Sequence, residues 1–132
     1  MQNSPPSSAP TIKGVGTDII EIERIREAIA RHGQRFLDRL FTPQEQTYCL
    51  RYKDSTPRFA GRFAAKEAVL KAFGTGLSNE MSWKEIEILN DKQGKPEVQL
   101  SVRLQGVLSI DHIFLSISHC DTYATATAIV VG

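Results

Sequence analysis

The sequence lacks the features that mark several specialised classes of protein. It has only two cysteines in 132 residues, and they show no metal-site spacing, so free thiols in a reducing compartment are expected. No apolar run approaches the roughly 20 residues that a membrane-spanning helix needs. The net charge of +1 gives no general attraction to nucleic acid or to a membrane surface. We therefore expect a cytoplasmic protein with no membrane partner and no nucleic-acid partner.

The N-terminal segment MQNSPPSSAP has little apolar character and is rich in Ser and Pro. It also lacks the charged start and the apolar centre of a secretory signal. Because such a segment buries little apolar surface, we predict a disordered tail over residues 1–11. The remaining residues, 12–132, are enough for a single domain with a modest core.

Hydrophobic periodicity changes along the chain. A strand is predicted in TIKGVGTDI, and helical spacing follows, with Thr42 and Glu45 typical of a helix start and Gly74 of a helix end. The second half alternates with period two, which predicts a hairpin around NDKQGKP and two strands in HIFLSISH and YATATAIVV, with a short helix in VRLQGVLSI. This order indicates an α+β fold in which an antiparallel sheet packs against helices.

Charged residues occupy the apolar side of the helix predicted over residues 57–73. Phenylalanines at helical spacing form an apolar arc, yet Lys66 falls inside it, Glu67 lies at its edge and Lys71 follows one turn later. A solvated surface with an i,i+4 ion pair accounts for Glu67 and Lys71 but not for Lys66. A buried lysine needs a carboxylate or a phosphate as its partner.

The strand GVGTD places Gly14, Gly16 and Asp18 on one face. Glycine weakens a strand, so its presence indicates the close approach of a ligand or of another backbone. The alternative is a bulge, with Asp18 capping the helix that follows. The segment is not a dinucleotide-binding fingerprint, because the third glycine is missing.

A third candidate is His119, which ends a predicted strand; taken alone, a packed or hydrogen-bonded histidine is the more ordinary interpretation. The carboxylates of Asp18 and Glu67 suit Mg²⁺, which keeps waters and takes further oxygens from a substrate phosphate. Lys71 and His119 are suitable hydrogen-bond donors to that phosphate. The combination predicts chemistry on a phosphate ester or anhydride.

Four segments, GVGTDIIEIERI, RFAAKEAVLKAFGTG, GKP and LSISHCDTYATATAIV, occur in an order and at a spacing that resemble the small holo-acyl-carrier-protein synthases. These are single-domain 4′-phosphopantetheinyl transferases. The resemblance implies their fold, a requirement for Mg²⁺ or Mn²⁺, and transfer of phosphopantetheine from coenzyme A to a serine of apo-acyl carrier protein, with release of adenosine 3′,5′-bisphosphate. It also implies a homotrimer whose active sites lie between neighbouring protomers.

The resemblance matches Asp18 and Glu67 to the metal carboxylates, Lys71 and His119 to contacts with the coenzyme A phosphates, and Arg24 to a contact with the acidic carrier. Glu67 and Lys71 are the predicted catalytic residues. Our site prediction adds Lys66 and Gly74 to the coenzyme A contacts. It also adds Arg31 to the carrier contacts, because Arg31 shares a helix face with Arg24. For Arg35 and Arg39 we prefer a solvated face.

Several alternatives stay open on the sequence alone. The general base is a water on the metal, Glu67, Lys66 or His119. The carrier belongs to fatty-acid synthesis, to polyketide synthesis or to another pathway. A binding module without turnover and a metal-dependent phosphoesterase are the rival functions, and the complete motif set favours the transferase over both.

Overall fold

The computed structural model describes residues 9–74 and 81–132. The elements follow in the order β1 (Ile12–Glu21), α1 (Ile22–His32), α2 (Gln34–Leu40), α3 (Pro43–Cys49), α4 (Thr56–Phe73), a 3-10 turn (Trp83–Glu85), β2 (Ile86–Asn90), β3 (Pro96–Leu100), α5 (Val102–Val107), β4 (His112–His119) and β5 (Tyr123–Val131). Most of the predicted tail lies outside the described residues. Thr11, at its end, exchanges two backbone hydrogen bonds with Gly132.

The strands form two antiparallel sheets, which confirms the α+β prediction. One sheet has three strands in the order β1-β5-β4, and α4 packs across one of its faces. The other is the hairpin of β2 and β3. We expected a single sheet, but α5 lies between β3 and β4 in the chain and the two strands are not paired.

The contact between α4 and the three-stranded sheet is built from small residues. Alternate positions of β5 are buried beneath the helix, and the alanines of α4 that face them are buried as well. At Gly14 an added Cβ atom would lie 1.8 Å from the carbonyl oxygen of Ala72, and at Gly16 it would lie 1.9 Å from that of Ala68. The two glycines therefore mark the close approach of another backbone, which was one of the two sequence interpretations.

The helix ends follow the sequence signals. Thr42 and Glu45 form the reciprocal capping box of α3, with Pro43 in the first turn. Gly74 ends α4 with a φ of 91°, a value that favours glycine.

No helix in the described part of the chain is long and apolar enough to cross a membrane. Both cysteines are free: Cys49 is buried, and burial raises its pKa to about 12, while Cys120 is exposed.

Candidate active site

Asp18 and Lys71 meet where β1 crosses the C-terminal half of α4. The Lys71 ammonium donates to Asp18 Oδ1 over 3.0 Å and to the carbonyl oxygen of Thr17 over 3.1 Å. The Asp18 side chain is 15% exposed and that of Lys71 is 56% exposed. Asp18 does not cap α1, because the residue at the N-cap is Glu21. The helix-facing side of β1 thus carries a carboxylate just beyond the two glycines.

Glu67 lies one turn before Lys71 and lines, together with Asp18, an open cavity of about 490 Å³. Burial raises the pKa of Glu67, the negative charge of Asp18 raises it further, and Lys71 partly opposes the shift. Two carboxylates of like charge therefore face one cavity. A cation between them would relieve their repulsion.

The donor set fits a metal ion that is bound jointly with a substrate. In residues 9–74 and 81–132, no group of three or more His, Cys, Asp and Glu side chains has the geometry of a metal site. A closed structural zinc or calcium site needs more protein ligands than this. Mg²⁺ is commonly held by one or two carboxylates plus waters and phosphate oxygens. Asp18 and Glu67 supply that number of carboxylates.

Lys66 does not contribute to this cavity, and the prediction that it contacts coenzyme A is wrong for this structure. Its side chain is 0% exposed. Its three N–H groups donate to Glu45 Oε1 over 2.8 Å, to the carbonyl oxygen of Leu40 over 2.8 Å and to that of Trp83 over 3.1 Å. The partner that a buried lysine requires is therefore a carboxylate and not a phosphate.

His119 lies at the exposed end of β4 and lines a different cavity, of about 330 Å³. Arg58 and Arg62 of α4 line the same cavity. The structure brings Asp18, Glu67 and Lys71 together within this chain, but it does not bring His119 to them. The His119 cavity has the positive charge expected of a site for an anion.

Arg62 is a candidate binding residue that the sequence analysis missed. It is 5% exposed, its guanidinium lies 4.1 Å from the centre of the Tyr48 ring, and its Nη2 donates to Asn90 Oδ1. Its Nε is buried without a hydrogen-bond partner among the described residues. One signal could have found it: Arg62 precedes Lys66 by four residues and so shares the buried face of the helix.

The predicted carrier-binding arginines lie on α1. Arg24 is exposed, pairs with Glu21 over 3.1 Å and borders the Asp18–Glu67 cavity. Arg31 is exposed in the last turn of the same helix. Gly74 is exposed at the end of α4, one turn beyond Lys71, and residues 75–80 after it lie outside the described residues.

Known proteins are similar to this chain in sequence and in fold. The model of the 4′-phosphopantetheinyl transferase superfamily matches residues 14–128. The holo-(acyl-carrier-protein) synthase of Chlamydia pneumoniae is 56% identical over 118 residues, which cover 89% of this chain and 96% of that protein.

Solved structures agree with the sequence matches. The crystal structure of holo-(acyl-carrier-protein) synthase from Neisseria meningitidis aligns with a TM-score of 0.83 at 35% identity, covering 91% of this chain and 98% of that one. The Helicobacter pylori holo-(acyl-carrier-protein) synthase in complex with coenzyme A aligns with a TM-score of 0.80 at 34% identity, covering 88% and 98%.

Proposed function

The chain belongs to the 4′-phosphopantetheinyl transferase superfamily, and on this premise we propose that the cavity between Asp18 and Glu67 is its active site. The protein transfers the 4′-phosphopantetheine group of coenzyme A to a serine hydroxyl of apo-acyl carrier protein. The observation that supports the site most directly is the grouping of two carboxylates and an exposed lysine beside one cavity.

Mg²⁺, or Mn²⁺ in its place, is the metal that this donor set suits. Asp18 and Glu67 would hold it, with waters and phosphate oxygens of coenzyme A completing the coordination. When bound, the ion withdraws negative charge from the phosphate oxygens and orients the leaving group. Burial and the negative charge of Asp18 raise the pKa of Glu67, so a cation held between the two carboxylates would favour its charged form.

The reaction forms a bond from the serine oxygen to phosphorus and breaks the bond from that phosphorus to adenosine 3′,5′-bisphosphate. Lys71, exposed and bonded to Asp18, donates to a phosphate oxygen and balances charge as the leaving group departs. Among the side-chain candidates for the base, position favours Glu67, because Lys66 is enclosed and His119 lines another cavity. The serine proton passes to its carboxylate oxygen.

The His119 cavity is the proposed site for the nucleotide phosphates of coenzyme A. Arg58 and Arg62 line it, and the buried, unpartnered Nε of Arg62 supplies a donor for a phosphate oxygen. Because this cavity and the Asp18–Glu67 cavity do not join within a protomer, we propose that coenzyme A bridges two neighbouring copies.

A homotrimer provides such neighbours. The face of the three-stranded sheet that is not covered by α4 exposes large apolar side chains, with Val15 at 60%, Ile19 at 62% and Phe114 at 49%. An apolar face of this kind supports burial against another copy. The exposed residue Ile19 also lines the Asp18–Glu67 cavity, which places the active site beside the proposed interface.

The carrier is proposed to dock on α1. Arg24 and Arg31 are exposed on this helix, and Arg24 borders the cavity, so an acidic carrier bound there would bring its serine to the reacting groups. Such charges speed encounter and set register more than they add affinity. Raising the salt concentration should therefore slow association.

The exposed free thiol of Cys120 is consistent with a reducing, cytoplasmic compartment.

Mass spectrometry of an apo-carrier tests the proposal. The carrier is incubated with coenzyme A, Mg²⁺ and the protein, and with Asp18→Asn and Glu67→Gln as controls. The proposal requires a phosphopantetheine-sized mass gain on the carrier serine with the wild type and about 10²–10³-fold slower gain with either variant. Equal rates in the variants would reject the site. Cleavage of coenzyme A without a carrier would instead identify a phosphoesterase, and tight binding without mass gain a binding module.

A further inference from the structure

The buried ion pair of Lys66 and Glu45 joins parts of the molecule that are otherwise separate. Both side chains are 0% exposed. The Lys66 ammonium of α4 reaches the end of α2 through Leu40, the first turn of α3 through Glu45, and the 3-10 turn through Trp83. One ammonium thus fixes α4 to three segments.

The Glu45 carboxylate extends the connection to the hairpin. Its Oε1 accepts from Lys66 and from the backbone N–H of Thr42, and its Oε2 accepts from the backbone N–H of Ile88 over 2.7 Å. Each charged group of the pair therefore makes three directional bonds. Replacing a buried ion pair by apolar residues of similar size is often neutral or stabilising, so stability alone does not account for this arrangement.

The same helix is fixed on its other side by the sheet. Gly14 and Gly16 allow the carbonyl oxygens of Ala72 and Ala68 to lie against β1, the strand that carries Asp18. Glu67 follows Lys66 directly in the sequence, and Lys71 lies five residues after Lys66. The glycine contact sets how closely α4 approaches β1, whereas the Lys66–Glu45 pair resists rotation and sliding of the helix.

We propose that Lys66 and Glu45 are positioning residues, which hold α4 so that Glu67 shares a cation with Asp18. The inference rests on the proposed function, because it assigns the pair a purpose in that reaction. Neither residue touches substrate or metal. Their effect passes through the rotation of α4 about its axis.

The double variant Lys66→Met/Glu45→Met removes both charges, together with the bonds that the pair makes to the backbone groups of Leu40, Thr42, Trp83 and Ile88. Its folding is checked by thermal denaturation. Binding of Mn²⁺ in the presence of coenzyme A, without carrier, is followed by electron paramagnetic resonance, and transfer is measured as kcat and as KM for the carrier. The folded variant should bind Mn²⁺ at least about tenfold more weakly and show a correspondingly lower kcat. KM for the carrier should be unchanged. Wild-type Mn²⁺ affinity in the folded variant would overturn the proposal.

Two further variants keep the test decisive. Leu104→Ala opens a cavity under α5, which packs against β3, and should lower the melting temperature without changing Mn²⁺ affinity. If the double variant does not fold, Glu45→Gln replaces it. A carboxamide has a single acceptor oxygen, so it cannot accept from both Lys66 and the backbone N–H of Ile88 in the places of the two carboxylate oxygens. Weaker Mn²⁺ binding supports the proposal and unchanged binding rejects it.

Failure of the inference is distinguishable from failure of the proposed function. Mass gain on the carrier with the wild-type protein establishes the function whatever the variants do. Absence of that gain rejects the function, while the Mn²⁺ measurement still reports on the positioning of Glu67.

Discussion

Two lysines of α4 make nearly the same contact in two different environments. Lys66 lies 2.8 Å from a carboxylate oxygen of Glu45, and Lys71 lies 3.0 Å from one of Asp18. Lys66 is fully enclosed and uses all three of its N–H groups on protein acceptors, whereas Lys71 is 56% exposed and has two such acceptors. The length of an ion pair therefore does not reveal its role. Burial and the number of protein acceptors do.

The energetic consequences of the two pairs should also differ. Removing one partner of a buried pair leaves a charge without water, whereas an exposed pair exchanges its partner for solvent at little cost. We therefore expect Lys66 to control the stability of the fold and the position of α4, and Lys71 to control the reaction.

The largest effect on stability should follow from Lys66→Met, which leaves the Glu45 carboxylate buried without its cation. The free energy of unfolding should fall by about 3–5 kcal/mol. Urea denaturation followed by circular dichroism measures it. A loss no greater than that of Lys71→Met would remove the distinction between the two lysines.

Gly16→Ala should have the next largest effect, because its Cβ would lie 1.9 Å from the carbonyl oxygen of Ala68 and force α4 away from β1. We expect a loss of about 1–3 kcal/mol together with slower carrier modification. The matched control is Gly106→Ala in α5, where an added Cβ meets no atom within 4 Å. Equal stability of the two variants would show that the close approach of α4 is unimportant.

Lys71→Met should change the free energy of unfolding by less than about 1 kcal/mol, since the Lys71 side chain is 56% exposed and Asp18 lines an open cavity. Its transfer rate should nevertheless fall by about 10² if the ammonium contacts phosphate in the transition state. Parallel denaturation and steady-state kinetics separate the two quantities. A variant with full activity would show that Lys71 serves only as the neighbour of Asp18.

The smallest effect is expected at the surface pair of Glu85 and Arg103. Hydrogen bonds from Arg103, Ser82 and Ser101 lower the pKa of Glu85 from 4.5 to about 2. A lowered acid pKa contributes stability above the unfolded value of 4.5 and loses it as the pH falls towards 2. The difference in free energy of unfolding between wild type and Glu85→Gln should therefore become smaller as the pH falls from 4.5 towards 2. A constant difference between the two proteins would contradict the shift.

The fold could be predicted largely because its signals are local. The capping box of Thr42 and Glu45, the helix stop at Gly74 and the change of period after residue 83 each act over a few residues. The predicted hairpin around NDKQGKP is confirmed as β2 and β3, but its separation from the three-stranded sheet could not be predicted, since the joining of a hairpin to other strands depends on contacts far apart in the chain.

For the candidate site as well, the local signals could be predicted and the long-range partners could not. Lys66 could be recognised as a buried cation from the helix alone, but its partner Glu45 lies 21 residues earlier, and the path of α2 and α3 that joins them leaves no periodic signal. Arg62 was missed although it precedes Lys66 by four residues, because an arginine at that spacing also fits a position exposed to solvent. The separation of His119 from Asp18 within the chain likewise depends on the order of strands in the sheet.

Crystals grown with coenzyme A and Mn²⁺ give the most direct test of the shared cation. Anomalous diffraction should show one Mn²⁺ peak in each cavity, contacting a carboxylate oxygen of Asp18 and one of Glu67 at distances close to the roughly 2.0–2.1 Å of magnesium coordination. A peak at another place, or two carboxylates that contact no common ion while coenzyme A is bound, would contradict the account.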